Sequence, residues 1–200
     1  LVVDCANGAA FQTTPEILRR LGAEVIALNV EPDGHNINVG CGSTHPEALQ
    51  QAVLQYGAHA GLAHDGDADR LVAADAQGRL VDGDRILVIA AIHMAEQGLL
   101  TGNAVVATRY SNLGLTQALA RRGIQVIAAE AGDRQGLAAM RERGLVLGGE
   151  QSGHVIFLQE TTTGDGILTA LKLLQVMRER EAPLAELRAL MHEVPLGIPV

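Results

Sequence analysis

Short apolar runs alternate along the whole chain with segments in which apolar residues recur every three or four positions. Val2 and Val3 form the first run and lead into the turn-rich residues 5–8. Thr14 and Pro15 predict a helix over 14–21, with Thr as cap and Pro in the first turn. A strand over 24–28 and a loop rich in Gly and Asn over 31–43 follow. Thr44 and Glu47 have the spacing of a capping box and predict a helix over 44–56. Two further apolar runs, 58–63 and 71–74, flank a polar stretch.

The same rhythm continues after Leu80. Helices are predicted over 84–97, 112–122, 133–143, 165–180 and 184–192. Strands are predicted over 104–108, 124–129, 145–147 and 154–158. Asp133 and Asp165 read as helix caps, Gly123 and Gly144 as helix stops, and Pro183 as a separator. Alternating strand and helix imply α/β architecture: two consecutive domains, each a mainly parallel mixed sheet flanked by helices. The expected units are residues 1–79 and 80–193. Residues 194–200 would begin a linker or strand toward a further domain. The opening strand carries no initiator Met, which fits a piece of a longer protein.

Composition narrows the classes. The chain has 200 residues, 48% of them hydrophobic, but only two Tyr, two Phe and no Trp, so its core must be aliphatic. Net charge is -8 and no basic stripe occurs, which argues against a nucleic-acid partner. No signal peptide is visible, nor an apolar run of about 20 residues, so no membrane partner is expected. Two cysteines, Cys5 and Cys41, are too few for a disulfide framework and suggest a reducing, cytoplasmic setting.

The polar stretch between the two apolar runs carries the clearest chemistry. Asp65, Asp67 and Asp69 alternate, and Arg70 follows. A solvated turn would explain one Asp-Gly pair, not three carboxylates between two strands. An EF-hand loop needs Gly at its sixth position and usually Glu at its twelfth, where this chain has Arg70 and Ala76. Oxygen-only ligands suit a hard cation such as Mg²⁺, which normally also holds water or phosphate oxygens. Arg70 beside it would add a second positive contact for phosphate, so the run points to phosphoryl chemistry.

Residues 149–154, Gly-Glu-Gln-Ser-Gly-His, form a second candidate loop. Glu150 and Ser152 offer acceptors and donors for a hydroxylated ligand, against the plain alternative of a β-turn with chance polar residues. His154 opens an apolar strand, where a His is more often structural than catalytic. Arg134 stands at a strand-to-helix junction as a possible phosphate contact. Residues 161–166, Thr-Thr-Thr-Gly-Asp-Gly, could present helix N–H groups to an anion, but Asp165 as a cap would occupy them.

The pair of hexapeptides at 65–70 and 149–154 resembles the α-D-phosphohexomutase superfamily. Supporting matches are residues 4–8, 36–38, 41–44, 111–112, 132–134 and 161–166, so the likeness covers essentially the whole chain. It implies domains two and three of a four-domain enzyme, with domains one and four of the same protein as missing partners. It also implies Mg²⁺ held by Asp65, Asp67 and Asp69 against a phosphoserine, with Arg70 near the transferred phosphate. Glu150 and Ser152 would bind the sugar hydroxyls, Arg134 and His154 would line the cleft, and Arg70 and His154 would be the catalytic groups of this chain. Gln151 favours the branch acting on glucosamine phosphates, since the mannose/glucose branch usually has Met there. The implied reaction interconverts glucosamine 6-phosphate and glucosamine 1-phosphate through a bisphosphate intermediate, with a hexosamine phosphate as substrate.

Some residues depart from the family pattern. No Ser-His-Asn-Pro-like segment supplies the serine, so these 200 residues are expected to be inactive alone and to bind Mg²⁺ weakly. Arg109 and Tyr110 precede Ser111 where an apolar residue and Met are usual. Gln135 and Gly136 follow Arg134 in place of Tyr-Val. The alternatives are a phosphomannomutase/phosphoglucomutase, a non-catalytic metal- or sugar-phosphate-binding module, and a dehalogenase-like phosphatase. The phosphatase leaves the second hexapeptide unexplained.

Overall fold

Strands and helices alternate as the apolar pattern predicts, in a computed structural model that describes residues 1–195. The first sheet runs β2 (Ile26–Leu28), β1 (Val2–Asp4), β3 (Ala60–His64), β4 (Leu71–Asp75), β5 (Leu80–Val81). The second runs β7 (Gln125–Ala129), β6 (Ala104–Thr108), β8 (Leu147–Gly149), β9 (Val155–Phe157). In each, the first three strands in sequence are parallel, joined by helices: α1 (Thr13–Arg20) and α2 (Glu47–Tyr56), then α4 (Leu113–Ala120) and α5 (Asp133–Arg143). The next strand turns straight back antiparallel, β3 to β4 and β8 to β9. Each hexapeptide therefore lies in a hairpin connection.

Alternate residues of each strand enter different cores, as a two-residue repeat requires. Val2, Ala63 and Val72 pack with Leu49 and Val53 of α2, whereas Val3, Leu62 and Leu71 face the other way. In the second sheet Val106 and Ile156 meet Met140 of α5, and Val105 and Leu147 face the larger core. The close helix contacts need glycine at matching strand positions. A Cβ on Gly61 would lie 2.6 Å from Val53, and one on Gly148 would lie 2.7 Å from the Met140 sulfur.

One helix belongs to both units. In α3 (Gly83–Glu96) every residue from Gly83 to His93 is buried. It touches β4 and β5 of the first sheet, β8 of the second, and α4, α6 (Gly166–Glu179) and α7 (Leu184–Arg188). Burial of each large aliphatic side chain, such as Ile86 or Leu87, stabilises the fold by roughly 1.5–3 kcal/mol.

Several expected starts and stops moved for tertiary reasons. Thr14 does not cap α1; its hydroxyl is 3.1 Å from His64 Nε2. The capping box at Thr44 does not form, because Gly42–Thr44 is a short 3₁₀ turn tied to Asp4, and α2 starts after Pro46. Asp133 is the first residue of α5, and its side chain makes no cap. Asp82, Asn112 and Asp165 do cap α3, α4 and α6. Leu80 and Val81 pair with Ala74 and Ala73, so the first sheet extends two residues past the expected division after Arg79. The last helix ends at Arg188 rather than His192. Val194 is held by the Asn112 amide at 2.9 Å through both its N–H and its C=O. The strand expected at 196–200 lies outside the described residues.

Asp84 is fully buried; its Oδ2 accepts the Asn112 N–H at 2.7 Å, and Oδ1 has no hydrogen-bond partner. Burial lifts its pKa from the ordinary 3.8 to about 6, against the pull of the Asn112 N–H. Below pH 3.8 the group is protonated folded or unfolded. From there to about pH 6 only the folded chain keeps the proton, so stability falls as pH rises through that window and the loss is complete above it. Asp84→Asn should remove this slope and raise stability at pH 8 by roughly 1 kcal/mol or more. Urea titrations of both proteins at pH 4 and pH 8 check this, and parallel pH dependences would refute it.

Candidate active site

The aspartate run closes on itself. His64 pairs with Leu71 at the hairpin base, the Asp65 carbonyl accepts the Ala68 N–H at 3.2 Å, and Asp65 Oδ1 accepts the Arg70 N–H at 3.2 Å. Ala68 takes a left-handed conformation at φ 62. Asp65 is buried, Asp69 half-buried and Asp67 exposed, and one oxygen from each lies within 4.8 Å of the others. Oxygens about 2.1 Å from Mg²⁺ are about 3 Å apart when adjacent and about 4.2 Å when opposite, so small closing movements suffice to hold such an ion. Asp69 Oδ1 is buried with no hydrogen-bond partner, as an unfilled ligand would be. Arg70 Nε stands 3.4 Å from Asp65 and 3.6 Å from Asp69, one cation against three acids. Burial, then the Asp65 charge, raise the Asp69 pKa; His154 opposes them.

Loops from the first sheet hold this turn from below. The Ala9 N–H donates to the Gly66 carbonyl at 2.7 Å, and a Cβ on Gly8 would sit 2.2 Å from that oxygen. Buried Asp4 accepts from the Ala6 N–H, the Asn29 amide and the Gly42 N–H, each at 2.9 Å. The short motifs at 4–8, 36–38 and 41–44 thus converge under the aspartate loop. His64 fixes its far end. Its Nδ1 is 3.3 Å from the Arg70 carbonyl, which can only accept, so Nδ1 carries the proton and Nε2 accepts the Thr14 hydroxyl. Desolvation lowers the His64 pKa and favours this neutral form.

The second hexapeptide links β8 to β9. The Glu150 N–H donates to the His154 carbonyl and the Gly153 N–H to the Glu150 carbonyl, both at 3.0 Å. Glu150 Oε1 accepts the Gly132 N–H at 3.1 Å, and Oε2 accepts the Ser152 hydroxyl at 3.3 Å. A narrow crevice of about 10 Å³ lies beside it at the C-terminal ends of β6, β7 and β8, with Thr108, Asp133, Glu150 and His154 along its polar side and Val106, Met140 and Ile156 beneath. Strand order reverses between β6 and β8, the usual position of ligand sites in open α/β sheets. Arg134 is exposed in the first turn of α5, outside this lining. Arg109 and Glu130 form an ion pair across the ends of β6 and β7.

The two hairpins meet directly. The Leu71 N–H donates to the Gly153 carbonyl at 3.0 Å beside an Arg70–His154 bridge, while the first residues of α3 and α6 brace the two turns, Gly83 donating to Gln151 at 3.0 Å and Gly166 to Ala68 at 2.8 Å. A Cβ would lie 2.2 Å from the Leu71 oxygen if placed on Gly153, and 2.2 Å from the Arg70 oxygen if placed on Gly166. His154 Nδ1 is 3.1 Å from Asp69 Oδ2. Asp65, Asp67, Asp69, Arg70 and His154 therefore form one cluster, with Glu150 and Ser152 in the adjoining turn. Sequence reasoning missed Thr14, His64 and Asp4. Asp4 and Thr14 sit in or near expected turns, but no spacing rule connects them to residues 64–70.

Residues 1–78 match the family model described as phosphoglucomutase/phosphomannomutase, alpha/beta/alpha domain II, and residues 82–194 match domain III. With both motif loops set at sheet switch points, the chain belongs to the phosphoglucomutase/phosphomannomutase family. The phosphoglucosamine mutase of Heliobacterium modesticaldum is 57% identical over 195 residues, covering 98% of this chain and 42% of that protein. The chain thus spans less than half the length of the curated relatives it matches. A phosphoglucomutase/phosphomannomutase family protein from Burkholderia thailandensis superposes with a TM-score of 0.82 at 29% identity, over 96% of this chain and 43% of that one. N-acetylphosphoglucosamine mutase from Aspergillus fumigatus, solved with GlcNAc-6P and magnesium, shares the fold at a TM-score of 0.79 and 20% identity, over 97% of this chain and 49% of that one.

Asp67→Asn removes one of three mutually repelling charges. In metal-free buffer the variant should melt no lower than the unchanged chain. The unchanged chain should gain stability with Mg²⁺, about 1.4 kcal/mol at ten times the dissociation constant, and the variant should gain almost none. Calorimetric melts with and without the salt decide this, and an equal gain in both proteins would refute the site.

Proposed function

We propose that this chain supplies the metal-binding and sugar-binding loops of an enzyme that interconverts glucosamine 6-phosphate and glucosamine 1-phosphate. The observation that carries the reading is the direct joining of the two loops. The aspartate hairpin and the Glu150 hairpin are joined by the Leu71 N–H to Gly153 carbonyl bond and the Arg70–His154 bridge, so a phosphate at one and a sugar at the other would be held at a fixed spacing. The high identity to phosphoglucosamine mutases and the presence of Gln151 support the glucosamine substrate over the mannose and glucose phosphates. Units 1–79 and 80–193 correspond in this reading to the second and third domains. The remaining length of the relatives would bring the serine that carries the phosphate and a further phosphate-binding domain, in a cytoplasmic enzyme.

Asp65, Asp67 and Asp69 would hold Mg²⁺, which when bound would neutralise charge on the phosphoryl oxygens being transferred. Arg70 adds a fixed positive charge at the same place, and its orientation is set by Asp65 and Asp69. Glu150 accepts from sugar hydroxyls, with one oxygen anchored by the Gly132 N–H so that the other faces Ser152 and the crevice. A carboxylate and a hydroxyl can serve either end of a pyranose ring, as a bisphosphate that must turn over demands. Arg134, exposed in the first turn of α5, would meet a phosphate that arrives with the substrate.

In the complete protein, glucosamine 6-phosphate should give a higher kcat/KM than mannose 1-phosphate or glucose 1-phosphate. Glu150→Ala should lower kcat/KM by roughly 10- to 100-fold, the worth of one hydrogen bond to a charged group. The 200 residues alone should show no turnover. A mutase rate from the purified chain, or a preference for mannose phosphate by the complete protein, would overturn the assignment.

A further inference from the structure

His154 is 2% exposed, and both its ring nitrogens are engaged. The Gly164 backbone N–H donates to Nε2 at 3.1 Å. A backbone N–H can only donate, so Nε2 carries no proton and the neutral ring must carry it on Nδ1. Nδ1 then donates to Asp69 Oδ2 at 3.1 Å. Asp133 stands 3.6 Å from Nε2, too far for a hydrogen bond and facing a nitrogen without a proton. Gly164 is close because it lacks a side chain; a Cβ there would lie 2.5 Å from the imidazole ring. With Oδ2 taken, Asp69 keeps Oδ1 buried and without a hydrogen-bond partner, 3.6 Å from Arg70 Nε.

We infer that His154 is a positioning residue: Gly164 locks its tautomer, and the ring in turn holds Asp69 so that Oδ1 faces the cation. This rests on the reading that Asp65, Asp67 and Asp69 bind a divalent ion. It gives the loop at 161–166 a task beyond capping α6. Gly164 sets the ring that orients Asp69, and Gly166 bonds the Ala68 carbonyl of the same hairpin at 2.8 Å. A proton shuttle would need a nitrogen open to the crevice, and neither is free.

Two measurements on the full 200-residue chain test this. In ¹⁵N-histidine-labelled protein, the His154 ring should show a protonated Nδ1 and an unprotonated Nε2. The opposite tautomer would overturn the inference without any variant. Mn²⁺ affinity by electron paramagnetic resonance is the second. His154→Ala and Gly164→Ala should each weaken it by about tenfold, the usual scale for groups that orient a metal ligand. His154→Asn, which keeps a donor near the Nδ1 position, should stay within about threefold on the same scale. Asp67→Asn separates the two readings. If it leaves Mn²⁺ affinity unchanged, the cation site itself fails. If Asp67→Asn weakens binding and a folded His154→Ala does not, the site stands and the positioning role fails.

Discussion

Repulsion among three carboxylates in one turn is the constraint around which the rest is arranged. Nothing within residues 65–70 offsets it except Arg70, and that guanidinium stands over 3 Å from its nearest acid. The turn stays folded because its backbone is gripped on two sides. The Ala9 N–H holds Gly66 from a loop of the first unit, while Gly153 and Gly166 reach in from the second. The glycines are needed because the grip is backbone to backbone; a side chain at Gly8, Gly153 or Gly166 would drive into a carbonyl oxygen. The protein thereby keeps acids concentrated at one point, where a divalent ion would meet several ligands at once.

Both units follow one plan: three parallel strands connected by two helices, then a hairpin. The aspartate run and the Glu150 loop are the same hairpin in the two copies of that plan, and Gly61 and Gly148 admit the same helix contact. One architectural position has thus received two chemistries, hard anionic ligands in one unit and hydrogen-bonding groups in the other. The two positions face each other, bridged by Arg70 and His154.

Much of this was legible beforehand. Periodicity gave the alternation of strand and helix, and the hexapeptides identified the two loops because carboxylates and glycines at that density have few structural uses. What escaped was decided by distant partners. Thr14 has the form of a cap, yet its hydroxyl serves His64 fifty residues away. Thr44 and Glu47 have capping-box spacing, yet Asp4 draws Gly42 into a 3₁₀ turn first. The turn back after each motif was also invisible to local pattern, since β4 and β9 look like any buried strand and only pairing reveals their direction. His154 read as the first residue of a strand that begins one position later, at Val155, and its link to Asp69 spans 85 positions.

The shared helix α3 has a consequence for folding. It is buried from Gly83 to His93 by elements of both units, and α6 and α7 rest on β4 of the first sheet. Cut before α3, the first unit would expose Leu71, Ala73 and Val81 to water, and the second the Ile86, Leu87 and Ile89 side chains of α3. The two sheets thus share one continuous apolar core through α3, and a cavity opened at Ile86 or Ile89 would be felt by both loops at once.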